Sequence, residues 1–332
     1  MPLKVLLTES IAPEGIDLLR KKAEVAIAPS PEMADLMPLI GSADALLIRS
    51  SRAGLELLEA GKKLKVIGRH GIGVDNIDLP AATRLGIRVV NTPGANTNAV
   101  AEHTLWAIMH CARNFNRAEK AFRRGDFCLP GSLPGLVQKL GYTTMELKNK
   151  VLGLVGMGRI SSRLAVLAGL GLGMQVKAYD PLVPDEVFAA AGVQKVRTLD
   201  LVLTDADFVS LHVPHLKETH HLIGARELAL MKPEAYLINA ARGGVVDEKA
   251  LYLALKAKKL AGAALDVFEK EPPDQDLPFF QLDNVVVSPH IAAMTDLALV
   301  NMAHDAAEGI LDVLEGREPK YLVNPEVLRS PR

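Results

Sequence analysis

The stretch Lys150-Val-Leu-Gly-Leu-Val-Gly156-Met-Gly158-Arg-Ile-Ser161 decides how this chain folds. Its apolar run, Val151–Val155, is typical of a buried parallel strand and leads directly into two glycines one residue apart. A helical pattern follows, and a second strand over Gln175–Tyr179 ends in an acid, Asp180. The order strand, glycine turn, helix, strand and acid predicts a βαβ unit that binds a dinucleotide.

Each residue type in this unit has a physical reason for its position. Gly156 allows the tight turn, and Gly158 lets the backbone approach a pyrophosphate, which the N-terminus of the following helix attracts through its N–H groups and partial positive charge. Asp180 can accept hydrogen bonds from the adenosine ribose and would repel a 2′-phosphate, so NAD is favoured over NADP. The usual third glycine is replaced by Ser161, which is small enough for close helix–strand packing. We therefore predict an NAD site rather than a glycine-rich loop of an unrelated α/β domain.

The composition limits the class of protein. The 332 residues, 49% of them apolar, are enough for two domains with separate cores. The net charge is −1 without a basic run, so we expect neither a nucleic acid nor a membrane as partner. No apolar stretch approaches the ~18 residues of a membrane span, and the N-terminus has the pattern of a strand rather than a signal peptide. Two cysteines, Cys111 and Cys128, cannot form a disulfide framework, which favours a reducing, cytoplasmic compartment.

Short strands alternate with amphipathic helices on both sides of a turn-rich segment at residues 91–98. The predicted strands before it are Leu3–Leu7, Val25–Ala28, Ala45–Ile48, Lys65–Ile67 and Arg88–Val90. The predicted strands after it are Val151–Val155, Gln175–Tyr179, Phe208–His212, Ala235–Asn239, Ala263–Val267 and Val285–Ser288. This alternation predicts an α/β fold with two doubly wound parallel sheets, and a long helix from about Ala99 to Arg113 follows the turn-rich segment. Ligands of such sheets bind at the carboxyl ends of strands, so we expect both sheets to face a cleft between the domains.

Three complementary side chains follow successive strands of the second region. Arg242 ends the segment Asn239-Ala-Ala-Arg, where a guanidinium can hold a substrate carboxylate through two parallel hydrogen bonds. His290, in Ser288-Pro-His, can supply the proton that reduction of a ketone requires. Glu271 can favour the charged imidazolium and fix its orientation. Each residue taken alone has a structural explanation, but together they predict a catalytic site.

The remaining polar residues give weaker predictions. His215, His220 and His221 cluster with Glu218, but their spacing matches no ligand motif, so we expect no metal. His103 and His110 are seven residues apart on the predicted long helix and are expected to be packing residues. Asp266 either contacts the nicotinamide carboxamide or ribose or caps a loop, and the sequence leaves both open.

Taken together, the motifs resemble the D-isomer-specific 2-hydroxyacid dehydrogenase family, which includes D-3-phosphoglycerate dehydrogenases and glyoxylate/hydroxypyruvate reductases. The resemblance extends from Asp44 over nearly the whole chain. It rests on Arg69-His-Gly-Ile-Gly-Val-Asp-Asn-Ile-Asp78, Asn91-Thr-Pro-Gly-Ala-Asn, Gly156-Met-Gly-Arg-Ile, Asn239-Ala-Ala-Arg-Gly-Gly, Leu265-Asp-Val-Phe-Glu-Lys-Glu-Pro and Pro289-His-Ile.

This resemblance implies a flavodoxin-like substrate domain at residues 1–98 and 296–332 and a Rossmann NAD domain at residues 99–295. It implies Arg242 as the substrate anchor, His290 as the general acid/base and Glu271 as its partner. Small 2-hydroxy or 2-keto acids are the implied substrates, and a homodimer through the NAD domain is the implied assembly. The implied cofactor contacts are Gly156, Gly158, Arg159, Ile160, Asp180, Val213, Ala240, Ala241, Asp266 and Ala292. The implied substrate contacts through backbone N–H groups are Gly71, Ile72, Gly73 and Val74.

The identity of the substrate stays open at this level. In phosphoglycerate enzymes the positions matching Arg49 and Arg69 help to bind phosphate, so this resemblance implies a phosphate, sulfonate or second carboxylate on the substrate. The alternative is that both arginines are solvated or paired with acids, which leaves hydroxypyruvate or glyoxylate as the substrate. The chain ends at Arg332 without the regulatory extension of many phosphoglycerate dehydrogenases, which weakens the serine-biosynthesis interpretation. The glycine- and proline-rich segment at residues 128–142 looks longer than the family's usual link and is either a functional loop or a disordered linker.

A different class of function also fits this fold. Some relatives are NAD-sensing corepressors that bind protein partners. Because Arg242, Glu271 and His290 are all present and no obvious peptide-docking extension flanks the core, we expect an enzyme rather than a corepressor.

Overall fold

The computed structural model describes residues 2–128 and 144–329 of the chain. Its contacts divide the chain into two compact units, Met1–Thr97 with Met294–Arg332, and Asn98–Ala293. Within the described ranges, no helix combines the length and apolarity that crossing a membrane would require. The segment at residues 128–142, for which the sequence leaves a functional loop and a linker open, lies outside the described residues except for Cys128.

The first unit is built on a five-stranded parallel sheet with the order β2-β1-β3-β4-β5, the flavodoxin-like arrangement. Its strands are β1 (Leu3–Leu7), β2 (Ala23–Ile27), β3 (Ala45–Ile48), β4 (Val66–Arg69) and β5 (Arg88–Val90). The intervening helices are α1 (Pro13–Arg20), α2 (Met33–Ile40), α3 (Leu55–Ala60) and α4 (Leu79–Arg84). Two apolar cores form in this unit, one of them against α12 (Asp296–Leu314), which begins at the N-cap Thr295. The central strand β3 is buried along its whole length.

The second unit is built on a seven-stranded parallel sheet with the order β12-β11-β10-β9-β6-β7-β8. Its strands are β6 (Val151–Val155), β7 (Gln175–Tyr179), β8 (Gln194–Lys195), β9 (Phe208–Leu211), β10 (Tyr236–Asn239), β11 (Gly262–Leu265) and β12 (Val285–Val287). Its helices are α5 (Thr97–Ala112), α6 (Phe115–Arg123), α7 (Arg159–Val166), α8 (Asp185–Ala190), α9 (Leu199–Asp205), α10 (Ala225–Leu230) and α11 (Glu248–Lys256). The strand order reverses between β6 and β9, which is the topological switch point of a Rossmann sheet and the place where dinucleotides bind.

The structure confirms the α/β class and the two parallel sheets predicted from the sequence. The predicted strands are all present, with ends that differ by at most two residues. Six short elements, α3, α6, α8, α9, α10 and β8, have no clear signal in the sequence. Several of them have weak local signals: β8 has two exposed residues, and α6 begins at Asn114 in a left-handed conformation without a side-chain cap. Tertiary packing rather than local pattern defines such elements.

Candidate active site

The glycine turn after β6 has the conformation that its sequence predicts. Gly156 has φ of +94°, a backbone conformation that favours glycine. A Cβ there would also lie 2.7 Å from the carbonyl oxygen of His212, so there is no space for a side chain. A Cβ on Gly158 would meet open space, so the backbone at the N-cap of α7 is accessible to a ligand. Ser161 is fully buried, and its hydroxyl accepts a hydrogen bond from the Gly158 N–H at 3.1 Å. The serine therefore packs like the missing glycine and also caps the helix.

Asp180, at the end of β7, is oriented by the same turn. One carboxylate oxygen accepts from the Met157 N–H and the other from the Leu182 N–H, both at 2.9 Å. Each oxygen keeps a lone pair for a further donor, because a carboxylate offers about four acceptor positions. Arg159 and Ile160 form the first turn of α7, and Val213 packs against the Gly156 turn. An adenosine ribose and a pyrophosphate therefore fit the groups present here.

Arg242 follows β10 in a loop that Asn239 holds from within. The buried Asn239 amide donates to the Arg242 carbonyl at 3.0 Å and accepts from the Ala241 N–H at 3.1 Å. The guanidinium also donates to the Ala241 carbonyl at 2.6 Å. Gly243 is required next, because a Cβ there would overlap the Phe268 backbone at 1.9 Å. Backbone packing and one buried amide thus fix where Arg242 leaves the sheet.

Asp266, at the end of β11, holds the loop that carries the proposed proton donor. Its side chain is 2% exposed and accepts from the N–H groups of Ile291 and Ala292, each at 2.9 Å. The Ser288 hydroxyl donates to the same carboxylate at 2.6 Å, and the Asp266 carbonyl accepts from the His290 N–H at 2.7 Å. Of the two readings that the sequence left open, the structure displays the loop-capping one. A contact of Asp266 with the carboxamide or ribose stays a prediction.

His290 and Glu271 form a hydrogen-bonded pair at the carboxyl ends of β12 and β11. The His290 Nδ1 lies 2.6 Å from Glu271 Oε2, and Glu271 Oε1 accepts from the Phe268 N–H at 3.0 Å. The imidazole is 48% exposed, so Nε2 is the ring nitrogen left for a substrate. His290 also has φ of +54°, a conformation that non-glycine residues rarely adopt and that costs on the order of 1–3 kcal/mol. The four hydrogen bonds of the Asp266 side chain and carbonyl keep the loop in this conformation.

The electrostatics of Glu271 favour the ionised form. Burial raises the pKa of Glu271, but the hydrogen bonds from His290 and the Phe268 N–H and the charges of His290 and Arg242 outweigh it, so the pKa is lowered overall. An ionised Glu271 requires the Nδ1 of His290 to carry a proton. This arrangement presents His290 as a proton donor or acceptor through Nε2.

His103, expected to be a packing residue, borders this polar group. Its Nε2 lies 3.3 Å from the Ser288 hydroxyl and 3.7 Å from Asp266 Oδ1. Burial lowers the pKa of His103, and the Asp266 carboxylate opposes that effect. Helical spacing alone could not identify this contact, because it joins α5 to loops about 160 and 185 residues later in the chain. His110 bonds to the Asn116 amide at 2.8 Å and contacts the rings of Trp106 and Phe115.

In the first unit, the loop after β4 is held by an arginine of its own. The Arg69 Nε donates to the Gly73 carbonyl at 2.7 Å, and another nitrogen of the same guanidinium donates to the His70 carbonyl. The Gly71 N–H points to the Thr92 hydroxyl at 3.1 Å and to the Arg69 carbonyl at 2.9 Å. The described residues contain no hydrogen-bond partner for the N–H groups of Ile72, Gly73 and Val74. A segment with tied carbonyls and available N–H groups is suited to an anion.

Arg49 and His70 lie at the carboxyl ends of β3 and β4. The Arg49 guanidinium contacts the Met294 sulfur at 3.0 Å, and a thioether is a weak acceptor. The imidazole of His70 is 3% exposed, and neither of its ring nitrogens makes a hydrogen bond of normal geometry within the described residues. Burial, followed by the charges of Arg49 and Arg69, lowers the pKa of His70 to about 4. His70 is therefore neutral at physiological pH.

Comparison with known proteins identifies the family. The model of the D-isomer specific 2-hydroxyacid dehydrogenase NAD binding domain matches residues 105–292. A glyoxylate reductase from Thermofilum pendens is 40% identical over 98% of this chain and 96% of its own length. The chain belongs to the D-isomer specific 2-hydroxyacid dehydrogenase family.

The other relatives have names that refer to different substrates. A D-3-phosphoglycerate dehydrogenase from Synechocystis is 41% identical over 99% of the chain, which spans 58% of that relative. The chain spans between 51% and 59% of the length of the phosphoglycerate dehydrogenases that it resembles. The D-lactate dehydrogenase of Aquifex aeolicus, solved with NAD and lactic acid, is 29% identical with a TM-score of 0.85 over 99% of this chain and 100% of that one. As a member of this family, the chain carries its NAD-binding domain, and NAD is its cofactor.

Proposed function

We propose that the protein is an NAD-dependent D-2-hydroxyacid dehydrogenase, which transfers a hydride between NAD(H) and C2 of a small 2-hydroxy or 2-keto acid. The observation that carries this proposal is the 2.6 Å pair of His290 and Glu271. A carboxylate that is itself fixed by a backbone N–H orients an exposed imidazole at the carboxyl ends of the sheet. This arrangement supplies the proton that accompanies hydride transfer.

The residues of the second unit take distinct roles in this proposal. NAD, when bound, supplies or accepts the hydride. Gly158 and the first turn of α7 would hold its pyrophosphate, and Asp180 would accept from its adenosine ribose. The additional proposed contacts are Gly156, Arg159, Ile160, Val213, Ala240, Ala241, Asp266 and Ala292.

The proton step follows from the geometry of the His290 pair. In the reducing direction, His290 Nε2–H donates to the carbonyl oxygen of the 2-keto acid while Glu271 stabilises the charged ring through Nδ1. In the oxidising direction, the neutral Nε2 accepts the proton of the hydroxyl group. Proton transfer of this kind contributes typically 10²–10⁴-fold to the rate.

The substrate carboxylate needs cationic and N–H partners. We assign Arg242 to it because its guanidinium can donate two parallel hydrogen bonds and its loop is fixed by Asn239. The N–H groups of Ile72, Gly73 and Val74 are the further proposed partners, with Arg69 and Gly71 holding that loop in shape.

The group at the other end of the substrate distinguishes two candidates. Arg69 is engaged with loop carbonyls, which favours a small substrate such as glyoxylate or hydroxypyruvate. Arg49, in contrast, contacts a weak thioether acceptor that an anion would readily displace, and this favours a phosphate or sulfonate at C3. The named relatives include both phosphoglycerate dehydrogenases and glyoxylate reductases.

The test is NADH oxidation with glyoxylate, hydroxypyruvate, phosphohydroxypyruvate, sulfopyruvate, pyruvate and 2-oxoglutarate, followed by chiral analysis of the product. The proposal predicts a D-hydroxy acid from at least one of them. A preference for the phospho- or sulfo-substrate that is lost in Arg49→Gln, but kept in the exposed control Arg52→Gln, would assign Arg49 to the second anion. Tight NADH binding without turnover of any of these substrates would contradict the proposed dehydrogenase activity.

We also propose a homodimer through the NAD-binding unit. Four large apolar side chains of α5 and α6 are exposed: Trp106, Met109, Phe115 and Phe122. Trp106 and Phe115 lie near each other, because both rings contact the ring of His110. Contiguous exposed apolar side chains mark an interaction site more often than isolated ones do. Light scattering of the purified protein, compared with Trp106→Lys, distinguishes a dimer from a monomer.

A further inference from the structure

The turn after β9 brings together histidines that have no role in the proposed reaction. The Nε2 of His215 lies 3.1 Å from the Nδ1 of His220, and both side chains are exposed to solvent. Their spacing in the sequence matches no ligand motif, and a metal was not expected from the sequence alone. The folded turn nevertheless points two imidazole nitrogens at each other.

The ring of His220 is held in place by its neighbour. It stacks on His221 with 3.9 Å between ring centroids and 25° between the ring planes. The Nε2 of His221 is in turn 2.8 Å from Glu269 Oε1. Glu269 is itself fixed, because its carboxylate accepts from the Glu248 N–H at 3.2 Å and its N–H donates to the Glu248 carboxylate at 2.7 Å. His221 is thus a support for His220.

The ring of His215 is positioned by the turn and by a glycine. The Thr219 hydroxyl accepts from the Leu216 N–H at 2.7 Å and donates to the Pro214 carbonyl at 2.6 Å, which closes the turn. A Cβ on Gly244 would lie 2.6 Å from the His215 ring, so the ring packs directly over this glycine. Both imidazoles are therefore placed before any ligand arrives.

We propose that His215 and His220 form a two-imidazole binding site for a divalent transition-metal ion of the zinc class. Zinc–nitrogen bonds of about 2.0–2.1 Å place two ligand nitrogens roughly 2.9–3.4 Å apart at bond angles of about 90–110°. The observed 3.1 Å lies within this range. Imidazole is also the ligand that such ions prefer among neutral side chains.

Water would complete the coordination of this ion. Within residues 2–128 and 144–329, three or more potential ligands come together at His304, Asp305 and Glu308 on α12, and no third ligand joins His215 and His220. The His215–His220 site therefore offers two protein ligands and open positions. Reversible binding is expected, in contrast to a closed structural zinc site.

The site is connected to the loop of the proposed substrate anchor. The His221 N–H donates to the Gly244 carbonyl at 2.9 Å, and Gly244 is two residues from Arg242. A bound ion would fix the turn against this loop.

The test is calorimetric titration of the full chain with Zn²⁺ at neutral pH. Loss of an outer-shell partner typically weakens metal binding about 10–100-fold, so loss of a ligand in His215→Ala or His220→Ala should weaken it at least about tenfold. The controls His304→Ala and Cys128→Ser, which remove other possible ligands, should bind Zn²⁺ as the parent chain does at this site. Affinity should fall in acidic buffer, because imidazole binds a metal only when it is deprotonated.

Histidine-selective ¹⁵N spectra provide a readout that does not depend on activity. Zn²⁺ should shift Nε2 of His215 and Nδ1 of His220 and leave the Nε2 of His221 on Glu269. The proposal is overturned if no saturable binding is seen at millimolar Zn²⁺, which would leave the pair as a single N–H···N hydrogen bond. Binding that survives in both alanine variants would overturn it equally, since the ion would then lie elsewhere.

Discussion

The two units of this protein hold their strand-end loops with side chains of opposite charge. In the second unit, the Asp266 carboxylate accepts from the N–H groups of Ile291 and Ala292. In the first unit, the Arg69 guanidinium donates to the carbonyls of His70 and Gly73. The Asp266 carboxylate accepts hydrogen bonds from the N–H groups of its loop, and the side chain of His290 stays exposed. The Arg69 guanidinium donates to the carbonyls of its loop, and the N–H groups of residues 72–74 stay available to an anion. The charge of the side chain that holds each loop thus determines whether a side chain or the backbone N–H groups are left to contact a ligand.

Asp266→Asn should have the largest effect on stability. An amide cannot accept from both the Ile291 and Ala292 N–H groups, so one buried donor would face a donor. Loss of a charge-assisted hydrogen bond and burial of an unpaired group predict a decrease of about 2–4 kcal/mol in the free energy of unfolding. Urea denaturation measures it, with Asp283→Asn, an exposed acid paired with Lys120, as the matched control. If the free energy of unfolding of Asp266→Asn were within about 0.5 kcal/mol of that of the control, the Asp266 carboxylate would not be what holds this loop.

His70→Leu should reduce the acid sensitivity of the first unit. The pKa of His70 is about 4 in the folded protein and about 6.5 unfolded, so the unfolded state binds more protons between these values. Stability therefore falls as pH decreases through this window, by on the order of 1–3 kcal/mol from His70. Urea unfolding at several pH values should show a smaller decrease for His70→Leu than for the parent. His304→Ala, which alters an exposed histidine, should leave the slope unchanged; an identical slope in His70→Leu would contradict a neutral buried His70.

Arg69→Lys should have the smallest effect, and it separates two interpretations of this arginine. A lysine cannot reach both loop carbonyls, so a brace predicts a KM increase of roughly tenfold, or about 1.4 kcal/mol, for every 2-keto acid that is turned over. A direct phosphate ligand predicts an increase confined to phospho- and sulfo-substrates. Steady-state kinetics on the full panel distinguishes the two, with Arg52→Lys as the exposed control.

Much of the fold could be predicted because its signals are local. The run Val151–Val155 and the two following glycines define a strand and a turn within eight residues, and the strand was found with the predicted ends. Pairs such as His290 with Glu271 could be predicted as well, because both follow strands of one parallel sheet. The short helices α8–α10 could not, since their few turns are stabilised by packing on the sheet.

The side-chain contacts that hold the loops of the site could not be predicted from the sequence. The sequence left open whether Arg69 binds an anion or is solvated or paired with acids, and it did not indicate the hydrogen bonds of Arg69 to carbonyls one and four residues away, which depend on the loop conformation. His103 meets Asp266 and Ser288 only after α5 and the strands β11 and β12 are in place. The 3.1 Å approach of His215 and His220 likewise arises from a turn closed by Thr219. Such contacts depend on side-chain direction, which residue spacing does not specify.

The role of His290 is tested most directly by the turnover of His290→Ala, measured together with its affinity for NADH by fluorescence titration. If His290 supplies the proton and Asp266, not the imidazole, holds the loop, kcat should fall about 10²–10⁴-fold while the dissociation constant for NADH stays within about a factor of three. Turnover equal to that of the parent chain would remove His290 from the mechanism. A parallel loss of NADH binding would show instead that the imidazole holds the loop.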